Sequence, residues 1–204
     1  MKVLIACEES QAVCTAFRKR GHEAYSCDIQ ECSGGHPEWH ITGSAIDQLD
    51  KGWDMMIGFP PCTYLAYSGT AHWNNEGRLQ KRLDALSFFA ALYRAPIEKI
   101  CLENPKGCAS PVIAKYSQEI QPYYFGDHDL KTTWLWLKGL PSLQHFDKDD
   151  FFNQKTHVDR PSPTSIDRTG KKRYFVDSKT RHPKDRSKTF QGIAAAMAEQ
   201  WGAL

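Results

Sequence analysis

Short apolar runs alternate along the chain with longer segments of mixed character. Five of the runs have the length and composition of buried strands. They are KVLIAC (2–7), HEAYSCDI (22–29), WDMMIGF (53–59), IEKICLENP (97–105) and TTWLWL (132–137). The segments between them predict helices at 9–21, 74–96, 111–120 and 189–202. Strands that alternate with helices indicate an α/β fold with a mainly parallel sheet and helices on both faces.

Two of the predicted helices have clear apolar faces and end signals. In the first, Val13 and Phe17 share a face and Gly21 is a typical stop. In the second, one face carries Leu79, Leu83, Leu86 and Phe89, and Pro96 follows its end. The stretch 30–45 is interrupted by Gly and Pro and predicts a loop.

Composition excludes several classes of protein. With 204 residues, of which 41% are hydrophobic, the chain can form a packed domain. No apolar run approaches the roughly 18 residues of a membrane span, and the short run in MKVLIACEES does not fit a signal peptide. Seven scattered cysteines are an odd number for a disulfide framework, so we expect reduced thiols in a cytoplasmic protein.

The net charge of +2 conceals a strong asymmetry. Residues 154–188 contain eleven Lys or Arg against four Asp, whereas the remainder is acidic. A basic segment on a mildly acidic body is compatible with a nucleic-acid partner, and equally with a solvated loop.

Reactive and acidic side chains follow four of the predicted strands. Glu8 and Glu9 follow the first strand, Asp28 ends the second, Cys62 follows WDMMIGF, and Glu103 follows KICL. Ligands of α/β sheets bind beyond the carboxyl ends of the strands. The spacing therefore predicts a functional site at this edge of the sheet.

Cys62 lies in the stretch GFPPCTYLAYSG, where Pro60 and Pro61 stiffen the chain in front of it. A rigid loop favours a nucleophilic sulfur, because small misplacements of an attacking atom reduce the rate. The alternative is that Cys62 is a small buried hydrophobic residue.

Two acids complete the candidate chemistry. A partly buried Glu103 could share a proton with a ring nitrogen, and with Cys62 it would suit addition to C6 of a pyrimidine. Otherwise Glu103 is a solvated surface acid. Asp28 occupies the place where nucleotide-binding α/β folds hold ribose hydroxyls, although the first turn, ACEESQAV, lacks the glycines of a dinucleotide fingerprint.

A zinc site is a weaker alternative. Cys27, Cys32, His36 and His40 have the composition of a Cys2His2 set. Their spacing is too tight for a finger, and Cys27 falls within a predicted strand, so we expect no metal.

These motifs resemble those of the cytosine-C5 DNA methyltransferase family. GFPPCTYLAYSG is similar to the family's G-F-P-C-Q-x-x-S-x-x-G loop, which carries the nucleophile, and CLENP to its E-N-V element. Gly43-Ser44-Ala45 stands in the place of G-D-I, QPYYFG with KTTWLWL in that of Q-x-R-x-R, and FQGIAAAMAEQWG in that of Q-x-G-N-[AS]-V. The resemblance covers residues 3–139 and 187–202. In size, the chain is similar to small phage or prophage members of the family.

The resemblance implies a Rossmann-like S-adenosylmethionine-dependent methyltransferase fold, formed by residues 1–204 as one domain. It implies methylation of cytosine C5 in DNA through a covalent Cys–C6 adduct, in the cytoplasm of a bacterial host. The implied catalytic residues are Cys62, Glu103 and Asn104. The implied cofactor-binding residues are Cys7, Glu8, Ser10, Asp28, Ile29, Ser44, Pro60 and Gln191. The implied substrate-binding residues are Pro61, Ser68, Lys131, Thr132, Arg173 and Arg186.

The chain also departs from the family. ACEES replaces the glycine-rich first loop, and Ser44 replaces an acid. A basic polar insertion at about 145–186 stands where the family has a large target-recognition domain. We therefore expect low sequence specificity, a single-stranded or nucleotide substrate, or a protein partner that supplies recognition. The alternative function is a catalytically inactive nucleic-acid or nucleotide binder that keeps the fold.

Overall fold

One seven-stranded sheet organises the protein. The computed structural model describes residues 1–170, 172–174 and 188–204. The strands are β1 (Lys2–Ala6), β2 (Glu23–Asp28), β3 (His40–Thr42), β4 (Met55–Gly58), β5 (Lys99–Pro105), β6 (Gln118–Ile120) and β7 (Thr133–Lys138). Their spatial order is β3-β2-β1-β4-β5-β7-β6. The first five strands are parallel, and β7 runs antiparallel to both of its neighbours.

In the part of the chain that the structure describes, four helices accompany the sheet: α1 (Ala12–Lys19), α2 (Arg78–Tyr93), the single turn α3 (Ala109–Val112) and α4 (Gln191–Gly202). Short 3₁₀ helices lie at Pro37–Trp39, Ala45–Gln48, Tyr67–His72 and Pro122–Phe125. A small ribbon pairs β8 (Ser165–Ile166) with β9 (Lys172–Arg173). None of the helices in the described ranges is long and apolar enough to cross a membrane.

The sheet separates two apolar cores. Val3 and Ile5 of β1 point into one core, where α1 and α4 pack together, and Leu4 and Ala6 point into the other, beneath α2. All four side chains are fully buried, which explains why β1 reads as a continuous apolar run. With this strand order, the predicted Rossmann-like α/β fold, with a mainly parallel sheet and helices on both faces, is confirmed.

The predicted C-terminal end of α1 agrees with the structure, whereas the helix begins at Ala12, later than predicted. Gly21 follows the helix with a φ of +82°, in the left-handed region that glycine enters without a steric penalty. Arg18 and Lys19 lie in the last turn, where positive charge interacts favourably with the helix dipole.

Three predictions about elements were wrong. Instead of a helix over 111–120, the chain forms the short turn α3 and then β6, because the antiparallel β7 offers an edge to which 118–120 can bond. The loop predicted at 30–45 contains β3, which pairs with β2. In α2, Phe89 and Leu92 are buried, but Leu79 and Leu83 are 61% and 50% exposed, because the N-terminal half of the helix extends beyond the core.

Candidate active site

The strand register brings the predicted site residues to one edge of the sheet. Ala6 of β1 pairs with Cys27 on one side and with Gly58 on the other, and Gly58 pairs with Leu102 of β5. The residues that follow these partners are therefore neighbours, although they are far apart in sequence.

A cavity of about 570 Å³ lies beyond β1 and β2. Five of the predicted residues line it: Cys7, Asp28, Ile29, Ser44 and Pro61. Asp28 accepts a hydrogen bond from the backbone N–H of Gln30 (2.9 Å). Burial, Asp28 and Cys27 raise the pKa of Cys7 to about 12, so its thiol is neutral at physiological pH. The cavity therefore offers the carboxylates of Asp28 and Asp84 and the ammonium group of Lys81 among mostly apolar walls.

A second cavity, of about 350 Å³, contains Cys62. It shares Cys7, Asp28, Gln30 and Pro61 with the first cavity, so the two spaces adjoin. The second cavity is also lined by Glu8, Glu9, Ser10, Phe59, Thr63, Lys188 and Thr189. The candidate nucleophile is thus beside the larger cavity but does not line it.

Backbone contacts fix the loop that carries Cys62. The buried Asn104 side chain donates from Nδ2 to the carbonyl oxygen of Pro60 (2.6 Å). The carbonyl oxygen of Cys62 accepts from the N–H groups of Leu65 and Ala66 (3.0 and 2.9 Å). Pro60 therefore anchors the loop, whereas Pro61 lines the cavities. The side chain of Asn104 therefore helps to hold this loop in place.

The loop also contacts the chain beyond β5. Ala66 forms a bridge with Gly107, and Cys108 donates from its N–H to the Leu65 carbonyl oxygen (2.9 Å). A β-carbon built on Gly107 would lie 2.4 Å from that oxygen. Only glycine permits this approach of the two backbones.

Glu103 and Lys131 form the charged part of the site. Lys131 Nζ lies 4.0 Å from Glu103 Oε1, and their side chains are only 25% and 16% exposed. Burial raises the pKa of the Cys62 thiol, the negative charge of Glu103 raises it further, and Lys131 lowers it. The Glu103 carboxylate and the Lys131 ammonium are therefore close enough to act on Cys62 electrostatically.

Several predicted residues lie elsewhere or have other contacts. Gln191 lines a groove between α1 and α4, together with Thr15 and Lys19. Thr132 accepts a hydrogen bond at Oγ1 from Gln121 Nε2 (2.7 Å), and Ser68 is exposed on a 3₁₀ helix. The structure therefore does not place Gln191 at the cofactor-sized cavity.

Two predicted substrate-binding residues fall at the limits of the described structure. Arg173 lies in β9, and only its backbone is described. Arg186 lies outside the described residues, as do residue 171 and the rest of 175–187 in the basic segment 154–188.

The loop after β1 contains two non-glycine residues with positive φ angles. Cys7 and Gln11 have φ values of 60° and 58°, in the left-handed region. That conformation is costly for residues with a β-carbon, and such strain is typical of functional loops. Gln11 is held in place because its amide exchanges hydrogen bonds with the backbone of His36 (2.7 and 3.0 Å).

Glu8 borders the cavity that contains Cys62, but its carboxylate is bonded to the start of α1. It is 3% exposed, and its two carboxylate oxygens accept from the N–H groups of Val13 and Cys14 (2.7 and 3.1 Å) at the start of α1. A carboxylate there satisfies backbone donors that have no partner within the helix. The structure therefore assigns Glu8 to helix capping.

Burial raises the pKa of Glu8 to about 7, and the helix N–H groups only partly oppose the shift. The folded protein thus binds this proton more tightly than the unfolded chain. The contribution of protonated Glu8 is complete below about pH 4.5 and is lost as the pH rises through about 7. Over that window the free energy of unfolding should fall by about 3 kcal/mol. Urea titrations at several pH values should show the slope in the wild type but not in Glu8→Gln.

The exposed Glu23→Gln is the matched control, and it should keep the wild-type slope. An unchanged slope in Glu8→Gln would contradict the assignment of this pH dependence to Glu8.

The zinc alternative is not supported. His40 Nδ1 bonds with Ser26 Oγ (2.8 Å), and the His36 ring stacks on Trp39 with 3.8 Å between centroids. Cys27 Sγ donates to the Gly43 carbonyl oxygen. Within residues 1–170, 172–174 and 188–204, no three His, Cys, Asp or Glu side chains are grouped to hold a metal ion.

Sequence reasoning missed some of the lining residues. Tyr64, Lys81, Ala85 and Phe88 line the larger cavity from the loop and α2, and Lys188 and Thr189 line the one with Cys62. Thr189 also borders a small space beside Glu103 and Lys131. The available signal was its position just before FQGIAAAMAEQWG, the segment that resembles a motif of the methyltransferase family.

Comparisons with known proteins find similarity among solved structures, and not among family models or curated proteins. No protein-family model matches the chain, and no curated protein matches it. Among solved structures, the chain is similar to a candidate DNA modification methyltransferase encoded within a prophage in E. coli, with a TM-score of 0.46 and 14% identity. The match covers 81% of this chain and 56% of the other, so the chain corresponds to little more than half of that protein.

Proposed function

We propose that this protein is an S-adenosylmethionine-dependent methyltransferase that modifies C5 of cytosine in DNA. The observation that carries the proposal is the grouping of Cys62, Glu103 and Lys131 at adjacent strand ends, beside a cavity of cofactor size. A nucleophile, a proton-holding acid and a cation that act on one another are the groups that addition to a pyrimidine ring requires.

The residues of the larger cavity fit S-adenosylmethionine. Its volume of about 570 Å³ falls within the range of small-molecule sites. Asp28 would bind the ribose hydroxyls, and Ile29, Pro61 and Phe88 offer apolar surface to the adenine ring. Ser44 borders the same space. The cofactor supplies an electrophilic methyl group when it is bound.

The chain's own residues would perform the remaining chemistry. The Cys62 thiolate forms a bond to C6 of the cytosine, and the electron pair of the C5–C6 double bond moves toward C5. Glu103 holds a proton at N3, which stabilises the ring as it gains electron density. Once C5 carries the methyl group, a base removes the C5 proton, the double bond re-forms and Cys62 leaves as a thiolate.

Asn104 and Lys131 have supporting roles in this mechanism. Asn104 positions the nucleophile through its hydrogen bond to the Pro60 carbonyl oxygen. Lys131, which was predicted to bind the substrate, is near Glu103, and its charge favours the thiolate of Cys62. A duplex substrate would need its cytosine flipped out of the helix to reach Cys62.

The role of Lys131 predicts a change in the pH–rate profile. Lys131→Met removes a positive charge that lowers the pKa of Cys62, so less thiolate is present at neutral pH. The rise of kcat/KM should move to higher pH, with a loss of roughly tenfold at pH 7 and recovery at alkaline pH. Initial rates of labelled methyl transfer from pH 6 to 10 measure the shift. Lys131→Arg should retain the wild-type profile, and a profile unchanged in Lys131→Met would refute the role.

The function itself is tested by transfer of a labelled methyl group from S-adenosylmethionine to duplex DNA, single-stranded DNA, RNA and dCMP in parallel. We expect label on DNA, with none in Cys62→Ala. Label on RNA or dCMP alone would keep the mechanism but correct the substrate. Absence of both label and cofactor binding would overturn the proposal.

A silent nucleic-acid binder is the second candidate. The observation in its favour is the raised pKa of Cys62, which keeps the thiol protonated in the free protein. Binding without transfer, weakened steeply by salt through counterion release, would establish it.

A further inference from the structure

A row of aromatic and basic side chains leads away from the nucleophile loop across the end of the sheet. Its members are Tyr67, Lys106, Trp134 and Tyr116, which we call the aromatic track. We propose that the aromatic track binds the bases and phosphates of a single-stranded polynucleotide that flank the target cytosine. The proposal rests on the proposed function, because it names the form of substrate that this site receives.

Contacts connect the track to the site at one end. Ala66 donates from its N–H to the carbonyl oxygen of Cys62, and the next residue, Tyr67, donates to that of Lys106 (both 2.9 Å). The Tyr67 side chain is 42% exposed. A strand whose cytosine reaches Cys62 would therefore contact Tyr67, which lies directly after the turn that follows the nucleophile.

The other end of the track is a pre-formed aromatic stack. Tyr116 and Trp134 are half-buried and nearly parallel, with 4.2 Å between ring centroids and an angle of 9°. Trp134 pairs across the sheet with Asn104, the residue that anchors the nucleophile loop. Trp134 Nε1 donates to Glu119 (2.9 Å), which fixes the ring. Rings that are already ordered lose little entropy when a base stacks on them.

Charge around the track favours a polyanion. Lys106 Nζ lies 5.8 Å from the Trp134 ring centroid and 3.0 Å from Glu119 Oε2, and its side chain remains 50% exposed. Glu119 is the acid that opposes a phosphate here, and it is already paired with Lys106. On the other side of Tyr67, Arg82 stacks on Trp73 at 3.9 Å, and the Trp73 ring is 5.9 Å from that of Tyr67.

The combination points to single strands. Stacking on aromatic rings requires unpaired bases, and basic groups interleaved with the rings follow the backbone. A paired duplex hides its base faces, so it would gain only the phosphate contacts. The described residues 145–170 form no module comparable to a groove-reading helix, which is consistent with stacking in place of base readout.

The test is fluorescence anisotropy with a labelled DNA strand of about twelve nucleotides, the same RNA sequence and the DNA duplex. Tyr67→Ala should weaken binding of the single strand about tenfold, whereas Tyr67→Phe, which keeps the ring, should bind like the wild type. Lys106→Gln should reduce the slope of log K against log salt by about 0.7. Lys51→Gln, which lies before β4 at the amino-terminal end of the parallel strands, should leave this slope unchanged.

Methyl transfer separates this inference from the function. Tyr67→Ala should raise KM for the strand while leaving kcat/KM for dCMP unchanged, because dCMP has no flanking bases. If transfer occurs but Tyr67→Ala and Tyr67→Phe behave alike, the track is wrong and the function stands. If no transfer occurs but binding depends on the Tyr67 ring, the function is wrong and the track stands. Preferential binding of the duplex, insensitive to Tyr67, would overturn the track. The DNA and RNA strands decide which polymer it accepts.

Discussion

Cys62→Ala is expected to abolish methyl transfer, with a loss of at least about a thousandfold. Removal of a nucleophile eliminates the covalent route, and the remaining binding groups cannot replace the bond to C6. Cofactor affinity should be nearly unchanged, because Cys62 does not line the larger cavity. Initial rates of labelled transfer and calorimetric titration with S-adenosylmethionine measure the two quantities separately.

A matched cysteine makes this result specific. Cys32 is half-buried in the loop before β3 and lines neither of the two cavities. Cys32→Ala should therefore keep full turnover. Wild-type turnover in Cys62→Ala would contradict the covalent mechanism. A loss of cofactor binding in that variant would show that the two cavities are coupled.

Gly107→Ala should have the second largest effect, on both stability and activity. Its β-carbon would lie 2.4 Å from the Leu65 carbonyl oxygen and 2.9 Å from the Leu65 carbonyl carbon, so the backbone itself must move. Overpacking of this kind costs about 1–3 kcal/mol. A displacement of about 1 Å in the loop that carries Cys62 can reduce the rate about a hundredfold. Urea unfolding and kcat measure the two effects.

Gly69 provides the control for that substitution. It lies on the same side of the site, and its β-carbon would come no closer than 3.7 Å to another atom. Gly69→Ala should thus change stability by little. Gly107→Ala with wild-type stability and rate would mean that the two backbones are not held together as the structure has them.

Much of the candidate site could be predicted from the sequence. The apolar runs predict the strands β1, β2, β4, β5 and β7. The hydrophobic pattern is most continuous in β1 and β4, because their side chains are buried on both faces of the sheet. The residues that follow parallel strands then meet at one edge, whatever the details of packing. This is why Asp28, Cys62 and Glu103 could be brought together without coordinates.

The tertiary structure decided what depends on partners distant in sequence. Residues 118–120 form a strand because β7 lies beside them, and Leu79 stays exposed because its half of α2 passes the end of the core. Glu8 could not be distinguished from a cofactor ligand until α1 was seen to begin against its carboxylate.

For charged residues too, the sequence determined one part of the result and the tertiary structure the other. The sequence predicted that Lys131 binds the substrate, but only the antiparallel pairing of β5 with β7 brings it to Glu103. Local pattern determines which segments are buried, since burial follows from the hydrophobicity of each residue. The neighbours of a polar group follow from the folding of the whole chain, and those neighbours determine its pKa and its function.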